Sequence, residues 1–184
     1  MAFMPSTEVE CLDVATCIEG RTSTREFSPE PVDDAVIDEA LRMANLAPSA
    51  GNLQSRDFVV VRDPRTKELL AEAALGQRYV AQAPVVVVFC ANLERVKHYG
   101  ERGRTLYCLQ DVAAAVENML LFLHSKGLGS VWVGAFDERR VSQILGLPAH
   151  ARPVAMVPIG HPAGRASARR SRLPLDALVH REKW

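Results

Sequence analysis

A stretch of alternating arginine and serine residues near the start of the chain could bind an anionic ligand. Within residues 19–27, Arg21, Ser23 and Arg25 occupy every second position. In an extended loop, residues two apart project to the same side. Arginine and serine side chains bind phosphate and carbonyl oxygens through charge-assisted hydrogen bonds. The pattern favours a phosphate or heterocycle site, and composition alone leaves a solvated arginine loop as the alternative.

A second polar segment, residues 47–54, places the amides Asn52 and Gln54 after a proline and beside a glycine. A side-chain amide donates and accepts hydrogen bonds at once, which suits a heterocycle edge that presents N–H and C=O together. An ordinary helix end is the alternative, since proline and glycine both favour it.

A third polar segment, near the C-terminus, holds four arginines within eight positions, and such a cluster either contacts a phosphate or belongs to a disordered tail. These arginines are Arg165, Arg169, Arg170 and Arg172.

Charge and composition exclude several classes of function. Lys+Arg and Asp+Glu are 22 each, so the chain lacks the basic excess of proteins that bind nucleic acids or anionic membranes. We find no run of about 18 apolar residues and no signal-peptide core, and we therefore expect a cytoplasmic protein without a membrane partner. The four cysteines are irregularly spaced, which favours reduced, buried thiols over disulfides.

The usual motifs of side-chain catalysis and metal binding are missing from the sequence. The five histidines never occur at metal-ligand spacing, so we expect no metal site. There is no dinucleotide fingerprint after a strand, no phosphate-binding loop ending in Gly-Lys-Ser/Thr, no nucleophile elbow and no zinc-protease motif. We therefore predict no catalytic side chain.

Hydrophobic periodicity predicts helices that alternate with short strands in a single domain covering residues 1–184. Two helices precede the first strand, which favours an α+β layered fold over a regular doubly wound sheet. The helix over 106–126 is apolar on most faces and is predicted to be buried in the core or in a subunit interface. Its Asp111 and Asn118 are interpreted as satisfied core polar groups, with contacts across an interface as the alternative. The predicted helices cover 7–18, 33–47, 65–75, 106–126 and 137–145, the predicted strands cover 58–61, 85–90, 130–134 and 154–159, residues 92–104 are predicted to be a loop, and 173–179 to be extended.

The order of these segments resembles the nitroreductase-like family of FMN-dependent oxidoreductases. R-T-S-T-R-E-F is followed by A-P-S-A-G-N-L-Q, a long apolar helix, G-L-G-S-V-W-V-G-A-F, P-I-G-H-P and R-R-S-R-L-P-L, from Cys17 to Val179. The resemblance implies a central mixed β-sheet flanked by helices and an intertwined homodimer with flavin at the interface. It also implies that a C-terminal segment of about 164–184 is exchanged with the partner subunit.

The resemblance assigns roles to residues of the first two segments. Arg21 and Ser23 would bind the phosphate and ribityl oxygens of FMN. Arg25 would reach the pyrimidine edge of the flavin near N1 and the C2 carbonyl, where a fixed cation stabilises the reduced ring. Asn52 would pair with the edge around N3 and O4, and Pro48 with Ser49 would line the ring, typically from the other subunit.

Later segments complete the FMN site that the resemblance implies. Trp132, Val133 and Gly134 correspond to a strand end that passes under the flavin and offers a backbone N–H to N5. Arg170 and Arg172 match the basic pair that closes on the phosphate. Arg165 and Arg169 receive no role.

The activity implied by the resemblance is that of an FMN-dependent NAD(P)H oxidoreductase. It would use ping-pong hydride transfer from NADH or NADPH to a small acceptor such as a nitroaromatic or a quinone. Two alternatives stay open: a specialised dehalogenating or substrate-oxidising flavin enzyme, and a non-enzymatic FMN-binding or storage protein. The chain departs from the family pattern at Ser55 and Arg56, where Pro-Trp is common, and in its short 91–105 region, which predicts an open pocket.

Overall fold

A four-stranded antiparallel sheet organises the chain. The structure is a computed structural model that describes residues 13–164 and 171–184. Its strands are β1 (Arg56–Val61), β2 (Val85–Asn92), β3 (Gly129–Ser130) and β4 (Ala151–Gly160), arranged in the order β1-β2-β4-β3. The parallel pairing expected of a mixed sheet occurs only as a single bridge between Ser23 and Ser130, within the described ranges.

Strand β2 lies at the centre of the sheet, and all of its residues are buried. Its β-branched run from Val85 to Val88 suits a strand that is covered on both faces. Phe89 packs edge-to-face against Phe58 of β1, with 5.1 Å between ring centroids. The predicted strands at 58–61, 85–90 and 154–159 are therefore confirmed, although the one predicted at 130–134 shrinks to β3 and a bridge from Val133 to Met156.

Seven helices flank the sheet in the described residues, joined in places by short 3-10 turns. Four of them begin at an aspartate whose side chain accepts a backbone N–H, the usual N-cap arrangement. The helices are α1 (Val14–Gly20), α2 (Asp34–Asn45), α3 (Pro64–Ala73), α4 (Tyr79–Gln82), α5 (Gly100–Arg102), α6 (Cys108–Ser125) and α7 (Glu138–Leu145).

The helices cover both faces of the sheet. Val85, Val87 and Phe89 of β2 belong to a core shared with α2 and α6. The alternate residues of the same strand belong to a second core, shared with α3, α4 and α7. Because neighbouring strand residues point to opposite faces, one buried strand serves two helical layers, as the predicted layered α+β fold requires.

Three predicted elements need correction. Of the helix expected over 7–18, the described part begins after Asp13, which has extended backbone angles and caps α1, and ends at Gly20; residues 1–12 lie outside the described part of the chain. The region 92–104 is not a loop, because a 3-10 turn at Lys97–Tyr99, helix α5 and a π-helical turn at Gly103–Tyr107 lead into α6. The loop prediction was wrong because most residues of these helical turns are polar and exposed to solvent, so the sequence shows no apolar periodicity there. The tail predicted to be extended contains a 3-10 turn at Leu175–Ala177.

The helical stretch from Lys97 to Ser125 is long and apolar enough, by length and composition alone, to cross a membrane. Its α6 portion packs against α2 and the sheet, and its inner residues are fully buried there. This is the position of a central core helix, as the sequence predicts for 106–126.

Candidate functional site

A cavity of about 300 Å³ opens where α1 ends, and we call it the Arg21 cavity. Arg21 and His124 contribute side chains that carry or accept positive charge, and Thr22 and Thr24 contribute hydroxyls. No aspartate or glutamate is among its lining residues. Such a lining suits an anion. The full lining is Gly20, Arg21, Thr22, Thr24, His124, Gly127, Leu128, Gly129, Ser130, Pro162 and Gly164.

The walls of the Arg21 cavity depend on close backbone approaches. The N–H of Thr24 donates to the carbonyl of Ser130 at 2.9 Å, which ties the arginine loop to β3. A Cβ at Gly129 would lie 2.6 Å from the Thr24 side chain, and one at Gly20 would lie 2.7 Å from the His124 ring. Burial, assisted by the cation of Arg21, lowers the pKa of His124. The imidazole is therefore held in its neutral form more strongly than in free solution.

Arg25 lies beside the strand end that the resemblance places under the flavin. Its guanidinium sits 5.9 Å from the ring centroid of Tyr79, and the Tyr79 hydroxyl donates to the side chain of Gln77. The Gln77 amide in turn donates to the carbonyl of Ala135 at 3.2 Å. This chain of contacts connects Arg25 to the residue that follows Gly134.

The segment 132–134 combines one anchored residue with two exposed ones. Val133 exchanges two 2.9 Å backbone hydrogen bonds with Met156 and is buried. Trp132 is 39% exposed, and Gly134 is also exposed. Together with the Ser23–Ser130 bridge, these contacts bring two groups of predicted site residues to one end of the sheet. The two groups are Arg21 to Arg25 and Trp132 to Gly134.

The second polar segment forms a strained loop, the 48–54 loop. Three of its residues have positive φ: Gly51 at 56°, Asn52 at 55° and Gln54 at 51°. Ser49 Oγ accepts the N–H of Gln54 at 3.0 Å, and the Gln54 amide donates to the Asn52 carbonyl at 3.1 Å. Non-glycine residues adopt positive φ rarely, and such strain is concentrated at functional sites.

Helix α6 supports the 48–54 loop through Asp111. This carboxylate is only 3% exposed, and it accepts from the Ala50 N–H at 2.9 Å and from Ser55 Oγ at 2.6 Å. Asn118 donates to the carbonyl of Met43 at 3.2 Å. Asp111 is therefore a satisfied core group, as the sequence predicts, whereas the half-buried Asn118 has one hydrogen bond within the chain.

Arg56 supports the same loop, which sequence reasoning missed. Its guanidinium donates to the carbonyls of Asn45, Ala47 and Pro48, and the residue is 3% exposed. The sequence marks Arg56 only as a departure from the family pattern, and its burial is unexpected because arginine is almost never fully buried. The one feature of the sequence that could have indicated this role is the position of Arg56, which begins a strand shortly after the end of a helix.

The predicted site residues fall into two separated groups within one chain. The Arg21 cavity includes His124 near the end of α6, whereas the 48–54 loop is bound by Asp111 near its start. These positions are 13 residues apart, or about 20 Å along the helix. Pro48, Ser49 and Asn52 therefore do not meet Arg21 in the same chain. Arg172 is exposed, and Arg170 lies outside the described residues, as do the unassigned Arg165 and Arg169.

The cysteines of the described residues, Cys17, Cys90 and Cys108, are buried. Burial, with a smaller contribution from Asp57, raises the pKa of Cys90 to about 12. No cluster of histidine, cysteine, aspartate or glutamate suited to a metal ion occurs in residues 13–164 and 171–184.

Comparisons with known proteins identify the family. The chain matches the Nitroreductase family over residues 18–78 and 76–161. It is 39% identical to an NADH dehydrogenase of Thermus thermophilus, over 91% of this chain and 95% of that protein. It is 31% identical to an FMN reductase [NAD(P)H] of Bacillus subtilis, over 94% and 74% of the two chains. The structure of NADPH:FMN oxidoreductase from Vibrio harveyi complexed with NAD+ superposes with a TM-score of 0.86 at 27% identity, covering 93% of this chain and 77% of that one. The chain belongs to the nitroreductase family.

Proposed function

We propose that this protein is an FMN-dependent oxidoreductase that takes hydride from NADH or NADPH and reduces a small acceptor such as a nitroaromatic or a quinone. Relatives named FMN reductase, NADPH nitroreductase and NADPH-flavin oxidoreductase support the enzyme class and the two cofactors. The structural observation that carries the proposal is the carboxylate-free Arg21 cavity, which lies at the same end of the sheet as Arg25 and the 132–134 segment.

The residues of the Arg21 cavity fit the phosphate end of FMN. Arg21 offers a fork of donors that matches phosphate oxygens, and Thr22 and Thr24 add hydroxyl donors. Ser23 lies between them and would reach the ribityl chain. No carboxylate is among the described lining residues, although the Glu26 side chain lies behind Gly164 at the edge of the cavity.

Arg25 and the 132–134 segment fit the ring end of the cofactor. When bound, FMN supplies a ring that accepts hydride from a reduced nicotinamide and delivers it to a second substrate. The permanent charge of Arg25 would stabilise negative charge on the pyrimidine edge. Gly134, which has no side chain, allows close approach to its backbone. Contacts through Tyr79 and Gln77 connect Arg25 to this segment.

A homodimer would complete the site. The separation of about 20 Å along α6 between the 48–54 loop and the Arg21 cavity agrees with a second copy that brings Pro48, Ser49 and Asn52 to the ring. Exposed apolar side chains offer surface for that contact, and those of the tail agree with an exchanged segment. They are Val14, Ile18, Leu173, Leu175, Leu178 and Val179.

Anaerobic reduction of the flavin-loaded protein tests the proposal. NADH or NADPH should bleach the flavin absorbance, and a nitroaromatic or quinone added afterwards should restore it. Bleaching by dithionite but by neither nucleotide would contradict an oxidoreductase and favour a flavin-binding protein. Bleaching without reoxidation by either acceptor would show that the acceptor class is wrong.

A further inference from the structure

The guanidinium of Arg56 forms a cap on the C-terminal end of α2. Its Nη2 donates to the carbonyls of Asn45 at 2.6 Å and Ala47 at 2.8 Å, and its Nη1 donates to Pro48 at 3.3 Å. The last carbonyls of a helix have no partner inside the helix and attract positive charge. A side chain from the start of β1 thus fixes the path of the chain as it leaves α2 and enters the 48–54 loop.

This cap lowers the free energy gained on folding, because it removes a charged group from water and gives it no hydrogen-bonded carboxylate as a partner. Burial lowers the pKa of Arg56, and Asp111 opposes this effect from a distance. The Arg56 Nε–H has no acceptor among the described residues. A buried ion is a poor means of gaining stability, and its retention is better explained by the conformation that it specifies.

The conformation that Arg56 specifies is the strained part of the site. Gly51 adopts positive φ freely, whereas positive φ at Asn52 and above all at Gln54 is uncommon and is held by surrounding contacts. Arg56 holds the entry to this turn at Pro48, and Asp111 holds the Ala50 N–H two residues later. The two buried charges therefore fix the loop from opposite sides.

We propose that Arg56 is a positioning residue for flavin recognition, holding the 48–54 loop in the geometry that contacts the isoalloxazine ring. This inference rests on the proposed FMN function. Arg56 itself is enclosed by the loop and does not touch the cofactor. Its influence would be on the ring, because the proposed place of the single phosphate of FMN is the distant Arg21 cavity.

Comparing FMN with riboflavin separates ring recognition from phosphate recognition. Arg56→Met should weaken binding of both flavins by the same factor, on the order of tenfold, since losing hydrogen bonds from a charged group has that scale. Arg21→Ala should weaken FMN alone. Arg56→Lys keeps the charge but not the planar fork, so it should fall between the parent and Arg56→Met, and it provides a test if the methionine variant does not fold.

Arg62 offers a matched control at the other end of α2. Arg62 is the residue after the end of β1, whereas Arg56 is the first residue of that strand. Arg62 donates to the Val32 carbonyl at 3.0 Å and to Asp34 at 2.5 Å. Arg62→Met therefore removes an arginine that anchors α2 without touching the 48–54 loop. We expect it to lower the free energy of unfolding while leaving both flavin dissociation constants unchanged.

Each outcome distinguishes this inference from the function on which it rests. Unchanged riboflavin binding in Arg56→Met and Arg56→Lys, with the parent still bleached by NAD(P)H, would overturn the positioning role alone. Equal losses of flavin affinity in Arg62→Met and Arg56→Met would reduce Arg56 to a stability role and also overturn it. A parent that binds neither flavin would overturn both proposals. Equal weakening of FMN and riboflavin in the Arg56 variants alone would support the positioning role.

Discussion

At the scale of single residues, the Arg21 cavity combines a permanent cation with a titratable one. His124 lines the cavity with Arg21, and its pKa is lowered by burial and by that neighbour. The unfolded chain, whose histidine keeps its ordinary pKa of 6.5, binds more protons than the folded one just below that value. The stability of the flavin-free protein should therefore fall as the pH drops below about 6.5.

Replacing His124 tests this linkage. His124→Gln removes the group that must be protonated on unfolding, so the free energy of unfolding should change less between pH 7.5 and pH 5.5 than in the parent. Urea denaturation at the two pH values measures the difference. His150→Gln, a change at an exposed residue outside the cavity, should keep the parent's pH dependence. The same pH dependence in His124→Gln and the parent would contradict the prediction.

At the scale of elements, the tight turn of the 48–54 loop depends on a glycine for two reasons. Gly51 has a φ of 56°, and a Cβ there would collide with the hydroxyl of Tyr99, which approaches from the helical stretch before α6. Gly76 also has positive φ, at 74°, but no atom lies within 4 Å of its would-be Cβ. Comparing substitutions at the two glycines therefore distinguishes the cost of positive φ, which both share, from the cost of a steric contact, which only Gly51 has.

Alanine substitutions at the two glycines should have unequal effects. Gly76→Ala should cost about 1 kcal/mol of unfolding free energy from its positive φ alone. Gly51→Ala adds a contact with the hydroxyl of Tyr99, the far end of a partly exposed side chain that can move aside, and should cost at most about 1 kcal/mol more. Combining it with Tyr99→Ala should recover part of that excess, as a double-mutant cycle measures. Equal costs at both glycines would show that the Tyr99 contact carries no energy.

The sequence predicts well those helices and strands that are determined by nearby residues, such as a capping aspartate or a β-branched run. Asp33 and Asp137 cap α2 and α7 close to the predicted helix starts, and the β-branched run of β2 is the central strand. The helical turns from Lys97 onward were missed because their polar residues face solvent. The burial of Arg56 was missed because it satisfies helix-end carbonyls 8 to 11 residues earlier, a tertiary contact that no local pattern contains.

At the scale of the whole molecule, α6 sets the distance between the two halves of the site. It runs under the sheet with the 48–54 loop bound near its start and the Arg21 cavity near its end. In the proposed homodimer, the Arg21 cavity of one copy and the 48–54 loop of its partner, separated by about 20 Å along α6 within one chain, would act on one flavin. A site shared in this way makes a specific prediction for mixed dimers.

Chains with complementary defects should restore one site in each mixed dimer. Arg21→Ala damages the cavity, and Asn52→Ala damages the loop, so neither homodimer should retain flavin. In a mixed dimer with shared sites, both defects fall in one site and the other site is intact. Random pairing in equal amounts then yields intact binding at about a quarter of all sites, because half of the dimers are mixed.

Co-refolding the two variants and measuring bound FMN per chain provides the measurement. Mixing the folded variants without exchange of subunits is the control and should bind no flavin. If each site were built within a single chain, every chain in the mixed dimer would carry one defect, and co-refolding would restore nothing. Recovery of flavin after co-refolding therefore requires that the Arg21 cavity of one copy and the 48–54 loop of its partner face the same ring.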